Sequence, residues 1–92
     1  MGEDIGVTHV TIRYWAAARD AAGVTEERFE AATLAELLDR AREGHGSGSR
    51  LAKVLSYCSF LVDGDPVGSR PPAAVTIADG ATVEALPPFA GG

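Results

Sequence analysis

The segment TLAELLDRAR, residues 33–42, limits the possible folds more than any other stretch of the chain. Thr33 followed three residues later by Glu36 is the pattern of a capping box, in which a hydroxyl and a carboxylate satisfy the free backbone N–H groups at a helix start. Apolar residues then recur at positions i, i+3, i+4 and i+7, namely Leu34, Leu37, Leu38 and Ala41. The sequence therefore predicts one main amphipathic helix that packs its apolar stripe against a sheet.

Segments with strand character lie on both sides of this helix. Residues 7–15 alternate, with Val10, Ile12 and Tyr14 on one face, and residues 25–31 regain strand character around Phe29. These two strands are predicted to form a hairpin with a long connection. After the helix, the predicted strands are the apolar run 59–62, a short strand that opens at Val67, and residues 82–86.

The connections contain the small and polar residues that are typical of loops. Residues 16–24 are predicted as a loop or frayed turn that ends near Gly23, and residues 43–49 as a glycine loop that contains His45. A second, shorter and poorly capped helix is predicted where apolar side chains again follow helical spacing: Leu51, Val54, Leu55 and Cys58.

The resulting element order is β β α (α) β (β) β in a single domain, residues 1–92. Because the first and last strands bracket a helical crossover, the element order favours a mixed sheet packed on one main helix. The right-handed preference of crossover connections then limits the number of possible topologies. This arrangement is an α+β fold of the ubiquitin-like β-grasp type. A ferredoxin-like fold ranks second, since it needs two comparable crossover helices.

Composition excludes several functions. The formal net charge is −5 and Lys53 is the only lysine, whereas nucleic-acid binding needs clustered basic residues; a partner with a basic surface suits the chain better. The single cysteine rules out an intramolecular disulfide and favours a reducing compartment, so a cytoplasmic location is expected. No signal peptide or membrane helix is predicted, and no membrane role.

The chain also lacks the pattern of an independent enzyme or of a metal site. His9, His45 and Cys58 do not have the spacing of zinc ligands. Asp63 and Asp65 flank Gly64 as turn-forming residues do, and Cys58 is predicted to be a small buried apolar residue. No nucleophile with an adjacent base is visible.

The last residues, LPPFAGG, suggest chemistry at the end of the chain. Pro87 and Pro88 lack N–H donors, so the last strand cannot continue its pairing and residues 87–92 are predicted to protrude as a tail. Counted from Pro88, the last five residues reach about 15 to 18 Å, far enough to enter a partner's active site. Phe89 is either a core plug or an exposed anchor, and the small residues Ala90 and Gly91 can thread a narrow channel. The functional group would then be the carboxylate of Gly92.

Three segments resemble the MoaD/ThiS family of ubiquitin-like sulfur carriers, and most of all the small subunits of molybdopterin synthase. They are RYWAAARDAAG at 13–23, SFLVDGDPV at 59–67, and LPPFAGG at 86–92. Phe89 stands where the family usually has a smaller aliphatic residue, and Trp15 where phenylalanine is commoner.

The resemblance implies a function and partners. Gly92 would be adenylated by an E1-like enzyme of the MoeB/ThiF type, which uses ATP, and then thiocarboxylated to donate sulfur for molybdopterin. Pro88, Phe89, Ala90 and Gly91 would bind the partners, including a MoaE-type large synthase subunit. The chain itself would be a non-catalytic subunit with no bound cofactor and no metal. The alternatives are a sulfur carrier for thiazole or cysteine synthesis, and a ubiquitin-like protein modifier.

Overall fold

The computed structural model describes residues 7–88. Residues 1–6 lie outside the described part, as do four of the predicted tail residues: Phe89, Ala90, Gly91 and Gly92. Within residues 7–88 the elements follow one another in this order: β1 (His9–Tyr14), α1 (Ala16–Ala22), β2 (Glu26–Glu30), α2 (Leu34–His45), α3 (Arg50–Leu55), β3 (Ser59–Val62), β4 (Asp65–Pro66), a 3₁₀ helix (Pro72–Ala74) and β5 (Thr82–Leu86).

The five strands of the described chain form one mixed sheet in the order β2-β1-β5-β3-β4. The first and last strands lie side by side and parallel in its interior, while β2, β3 and β4 pair antiparallel with their neighbours. This topology confirms the predicted β-grasp fold. It places the end of the chain's last strand between β1 and β3, not at an edge of the sheet.

The core lies between one face of the sheet and the helices. Val10, Ile12 and Tyr14 alternate inward along β1 and are fully buried, as the sequence pattern predicts. The predicted apolar stripe of α2 is buried on the same side: Leu34, Leu37, Leu38 and Ala41. The two periodic segments, β1 and α2, thus supply a large part of the core, and α3, β5 and the connecting segments supply the rest.

The capping box at the start of α2 is confirmed. The Thr33 hydroxyl accepts a hydrogen bond from the Glu36 backbone N–H at 3.2 Å. The Glu36 carboxylate in turn accepts from the N–H of Ala32 at 2.7 Å, one residue before the cap. Two backbone donors at the helix start are thus satisfied.

The prediction of a loop at residues 16–24 is wrong for most of that stretch. Residues Ala16–Ala22 form α1, and Gly23 ends this helix in the left-handed conformation with φ 77° and donates its N–H to the Arg19 carbonyl. Alanine has the highest helix propensity, and Ala18 is fully buried against the core. The alanines thus form a helix that packs against α3 and the sheet.

Three smaller predictions also need correction. The second helix is capped after all, because the Ser49 hydroxyl accepts from the N–H of Ala52. His45 is the last residue of α2 and not part of the glycine loop. The short strand near Val67 is β4, which ends one residue earlier. The turn before it is a two-residue hairpin loop, in which Asp63 and Gly64 both have positive φ.

Candidate functional site

The candidate site begins where β5 ends in the middle of the sheet. Ala85 pairs with Tyr14 of β1 on one side and with Phe60 of β3 on the other, and Leu86 pairs with Ser59. The ladder extends one step beyond β1, because the Trp15 N–H donates to the Ala85 carbonyl at 3.2 Å. We call this end of the sheet, at residues 86–88, the tail exit.

The two prolines mark the limit of the sheet. Leu86 is the last strand residue; Pro87 is partly buried and Pro88 is exposed. Because neither proline can donate to a neighbouring strand, strand pairing stops here. Of the five predicted site residues, the structure thus describes only Pro88, which lies at the surface, and the other four lie outside the described residues.

One face of the sheet carries no helix and presents the side chains that alternate with the core. Strand register places Arg13 of β1 opposite Glu84 of β5, and Leu61 of β3 also pairs with Glu84. Thr11 and Thr82 occupy the same face one pair earlier. We call this the open face.

Trp15 stands at the junction of the open face and the tail exit. Its indole Nε1 donates to the Glu84 carboxylate at 3.2 Å, and the Arg13 guanidinium lies 5.7 Å from the ring centroid. The side chain is nevertheless exposed. The sequence alternation places Arg13 on the open face, but the contact with Glu84 depends on the register of two strands about 70 residues apart, which local patterns do not encode.

A second polar cluster, on the helix side of the sheet, connects β1, β2 and α2. The Tyr14 hydroxyl donates to the Glu27 carboxylate at 2.7 Å, and His45 Nε2 lies 2.7 Å from the same oxygen. Burial, followed by the hydrogen bond and the charge of Glu27, raises the pKa of Tyr14 well above its usual range. A phenol that stays protonated is a fixed hydrogen-bond donor, so Tyr14 helps to join β1, β2 and α2 through Glu27.

Cys58 fits the predicted structural role. The side chain is partly buried against the core, and its thiol donates to the Val54 carbonyl at 3.4 Å. Burial raises the pKa of this thiol from 9.0 to about 11. Because the thiolate is the nucleophilic form, Cys58 is poorly suited to receive or relay sulfur.

The acidic turn residue Asp63 also has a structural role. The Asp63 carboxylate accepts from the Thr82 N–H at 2.9 Å, and the Asp63 N–H donates to the Thr82 carbonyl at 2.8 Å. These bonds attach the β3–β4 hairpin to the start of β5. In residues 7–88 no group of three or more metal-ligating side chains comes together. In the same range, no helix has the length and apolar character needed to cross a bilayer.

The sequence profile of the ThiS family matches residues 12–92, which includes the predicted tail. The chain belongs to the ThiS family. This confirms the family that the three sequence segments indicated. No curated protein sequence matches the chain significantly.

Solved structures with the same fold include archaeal modifier proteins and a molybdopterin-converting factor. Small archaeal modifier protein 1 from Methanosarcina acetivorans superposes with a TM-score of 0.78 at 18% identity, covering 94% of this chain and 98% of the other. Its counterpart from Haloferax volcanii gives 0.67 at 19% identity, with 89% and 99% covered. A complex of subunits 1 and 2 of the molybdopterin-converting factor from Helicobacter pylori gives 0.64 at 22% identity, with 92% and 100% covered. At these identities the likeness establishes the fold.

The three segments that carry the family resemblance meet at the tail exit. Residues 13–23 include the end of β1 and all of α1, residues 59–67 contain β3 and β4, and the third segment begins at Leu86. Ser59 pairs with Leu86, and Trp15 bonds to the residue before it. Segments far apart in this ThiS-family chain thus form one surface around the root of the tail.

Proposed function

We propose that this protein is a sulfur carrier whose Gly92 carboxylate is adenylated and then thiocarboxylated. The observation that carries the proposal is the position of β5: the chain reaches the surface from the interior of the sheet at two prolines, followed by the sequence FAGG. The match to the ThiS family runs through that tail. A rigid body with a slender end suits delivery of one group into another protein's active site.

The proposed chemistry takes place in two steps, adenylation and sulfur transfer. An E1-like enzyme transfers AMP from ATP to the Gly92 carboxylate and releases pyrophosphate, which converts a poor electrophile into a mixed anhydride. Hydrosulfide, or a sulfur donor equivalent to it, attacks the carbonyl carbon; the new C–S bond forms as the C–O bond to AMP breaks. AMP leaves and the thiocarboxylate remains on Gly92.

We further propose that the sulfur serves molybdopterin synthesis, with a MoaE-type large subunit as acceptor. The support is the sequence resemblance of LPPFAGG to the ending of molybdopterin synthase small subunits, together with the fold shared with a converting-factor complex of two subunits. The active-site residues of that reaction would be those of the large subunit. ATP would be bound by the activating enzyme.

Intact mass measurement tests the carrier function. Purified protein is incubated with the activating enzyme of the same organism, ATP and sulfide, and we expect one oxygen to be replaced by sulfur. A variant that lacks Gly92 and a variant with one residue added after it are the matched controls, and both should keep their original mass. An unchanged mass for the unaltered chain would refute the proposal.

A covalent modifier is the second candidate, because two of the similar structures are archaeal modifier proteins. It would share the adenylation step and end as an isopeptide on a lysine of a target protein. Denaturing gels of cells that express a tagged chain distinguish the two: conjugates that disappear when Gly92 is deleted indicate a modifier. Dithiolene formation with the large synthase subunit indicates the molybdopterin carrier.

A further inference from the structure

The two edge strands of the sheet differ in how they are protected against pairing with another strand. β4 is an edge of two residues, one of which, Pro66, has no N–H to donate. β2 is the other edge, and it has five residues, no proline, and a register against β1 that runs without a bulge from Glu26 to Glu30. Because β2 is neither shortened nor interrupted, its charges decide which strand can pair with it.

Alternate residues of β2 direct their backbone groups away from β1. The Tyr14 N–H donates to the Thr25 carbonyl at 2.8 Å. Since hydrogen-bonded and non-hydrogen-bonded pairs alternate in an antiparallel ladder, this bond identifies the odd-numbered residues of β2 as those bonded to β1. The N–H and C=O groups of Glu26, Arg28 and Glu30 therefore point outward from the sheet.

The side chains of the outward residues lie on the open face and form a pattern of charges. Glu26, Arg28 and Glu30 are negative, positive and negative in turn. From the β1 side, an Arg13 nitrogen lies 3.8 Å from a Glu26 oxygen, and a His9 nitrogen 3.7 Å from a Glu30 oxygen. Both distances exceed that of a hydrogen bond, and a carboxylate has several acceptor sites, so each glutamate can receive a cation from a second neighbouring strand.

The helix side of β2 limits the site and gives it an apolar contact. Arg40 Nε of α2 donates to the outward Glu30 carbonyl at 3.2 Å, so the free stretch of backbone ends there. Phe29 is only partly buried, and Gly44 of α2, whose added Cβ would lie 3.8 Å from the ring, provides no side chain to cover it. An apolar side chain of an added strand can therefore pack beside Phe29.

A second copy of β2 fits this edge poorly. If two copies paired about a two-fold axis through Arg28, the two Arg28 side chains would face each other, and each Glu26 would face a Glu30. A shift that brings Glu26 opposite Arg28 places Glu27 opposite its own copy. Like charges directly opposite each other destabilise a sheet, and the net charge of −5 also opposes self-association.

We propose that β2 is a strand-addition site for a partner protein that presents an extended segment with basic, apolar, acidic, apolar and basic side chains in turn. The basic residues would face Glu26 and Glu30, and the acidic residue Arg28. This inference goes beyond the proposed function and does not depend on it. Because β1 lies between β2 and β5, such a partner holds the domain without contacting the strand that leads to the tail.

Synthetic β-hairpins with an Asn-Gly turn are the probes. The free strand of the first reads KVEVK, which has the same order of charges in both directions, so the direction of pairing does not affect the test. The second reads KVKVE, with the same composition and net charge, and places a lysine opposite Arg28. The third is KVEVK with methylated backbone nitrogens at its lysines and glutamate, which removes the donors. We expect the first to bind about ten-fold more tightly than the other two.

Hydrogen exchange measured by NMR reports on the backbone pairing itself. In the free chain, the amides of Glu27 and Phe29 are bonded to β1 and should exchange more slowly than the outward amides of Glu26, Arg28 and Glu30. The KVEVK hairpin should slow exchange of the outward amides about ten-fold. Contact through side-chain charges alone would leave their exchange rates unchanged.

The charge pattern is tested on the chain as well. Glu26→Gln combined with Glu30→Gln should weaken binding of the KVEVK hairpin about three- to ten-fold, as expected for the loss of two cross-strand charge pairs. Asp65→Asn removes an exposed carboxylate from the opposite edge strand and is the matched control, which should bind like the unaltered chain. Thermal unfolding verifies that each variant is folded.

Three results would overturn the proposal. They are outward amides that KVEVK does not protect, equal affinity for the three hairpins, and protection that appears on raising the concentration of the chain alone, which would identify a second copy as the occupant. None of these measurements uses adenylation or sulfur transfer, so failure of the strand-addition site and failure of the carrier function are distinguishable.

Discussion

At the scale of single residues, Tyr14 combines a buried ring with a charged partner. Its ring is fully buried, and its hydroxyl bonds to Glu27, which also meets His45. Tyr14→Phe should lower the free energy of unfolding by about 1 to 3 kcal/mol, because a hydrogen bond to a charged group is lost. Urea unfolding at neutral pH measures this. Tyr57→Phe removes an exposed hydroxyl and should change nothing; equal effects from the two variants would contradict the role assigned to the cluster.

Cys58 predicts a pH dependence of stability. The folded thiol has a pKa of about 11 against an ordinary 9.0, so the folded state holds its proton more tightly than the unfolded state. Its contribution is therefore complete below pH 9 and is lost as the pH rises toward 11. Cys58→Ser does not titrate in this range, so its unfolding free energy should fall less steeply between these two pH values. Parallel slopes for the two proteins would show that the thiol is not desolvated.

At the scale of elements, the stability of α1 depends on the glycine that ends it. Gly23 closes this helix at φ 77°, and a Cβ added there would meet no atom within 4 Å. Gly23→Ala should therefore cost about 1 to 2 kcal/mol through backbone strain alone. Gly48→Ala is the matched control, since a Cβ there is equally unobstructed and no left-handed φ is required. Thermal unfolding compares the two; similar midpoints would mean that α1 can end without the left-handed residue.

The elements also show what local sequence patterns can predict. β1 and α2 were predictable because hydrophobic periodicity and the Thr33–Glu36 pair act within one segment. α1 was missed because alanines carry no amphipathic signal, and its burial depends on its position against α3. His45 was assigned to a loop because two glycines flank it, whereas its contact with Glu27 lies within the tertiary structure.

At the candidate functional site, too, local features were predictable from the sequence and tertiary contacts were not. The proline pair and the final glycines are adjacent in sequence, so the tail was predictable from its letters, and family resemblance supplied its chemistry. The surroundings of Trp15 were not predictable, because its bond to Glu84 exists only through the register of β1 with β5. The sequence alone shows only that Trp15 stands where the family more often has phenylalanine.

At the scale of the whole molecule, the proposed carrier function assigns folding and sulfur transfer to separate parts of the chain. The hydrophobic core of the described residues runs from Val10 to Ala85. Removal of residues 89–92 should therefore change the unfolding free energy by less than about 0.5 kcal/mol, as surface changes do, while sulfur transfer is lost. Leu37→Ala, in the core, should cost about 2 to 5 kcal/mol. Urea unfolding of both variants makes the comparison; marked destabilisation on truncation would mean that the tail belongs to the fold.

The parallel pairing of β1 with β5 has a mechanical consequence. A partner that draws on the chain's end pulls along the axis of β5, and that strand is bonded to β1 on one side and to β3 on the other. Such a force shears both ladders together instead of peeling one bond at a time, so the load is shared by many bonds. The domain thus resists a pulling force best along β5, the strand that leads to the end of the chain.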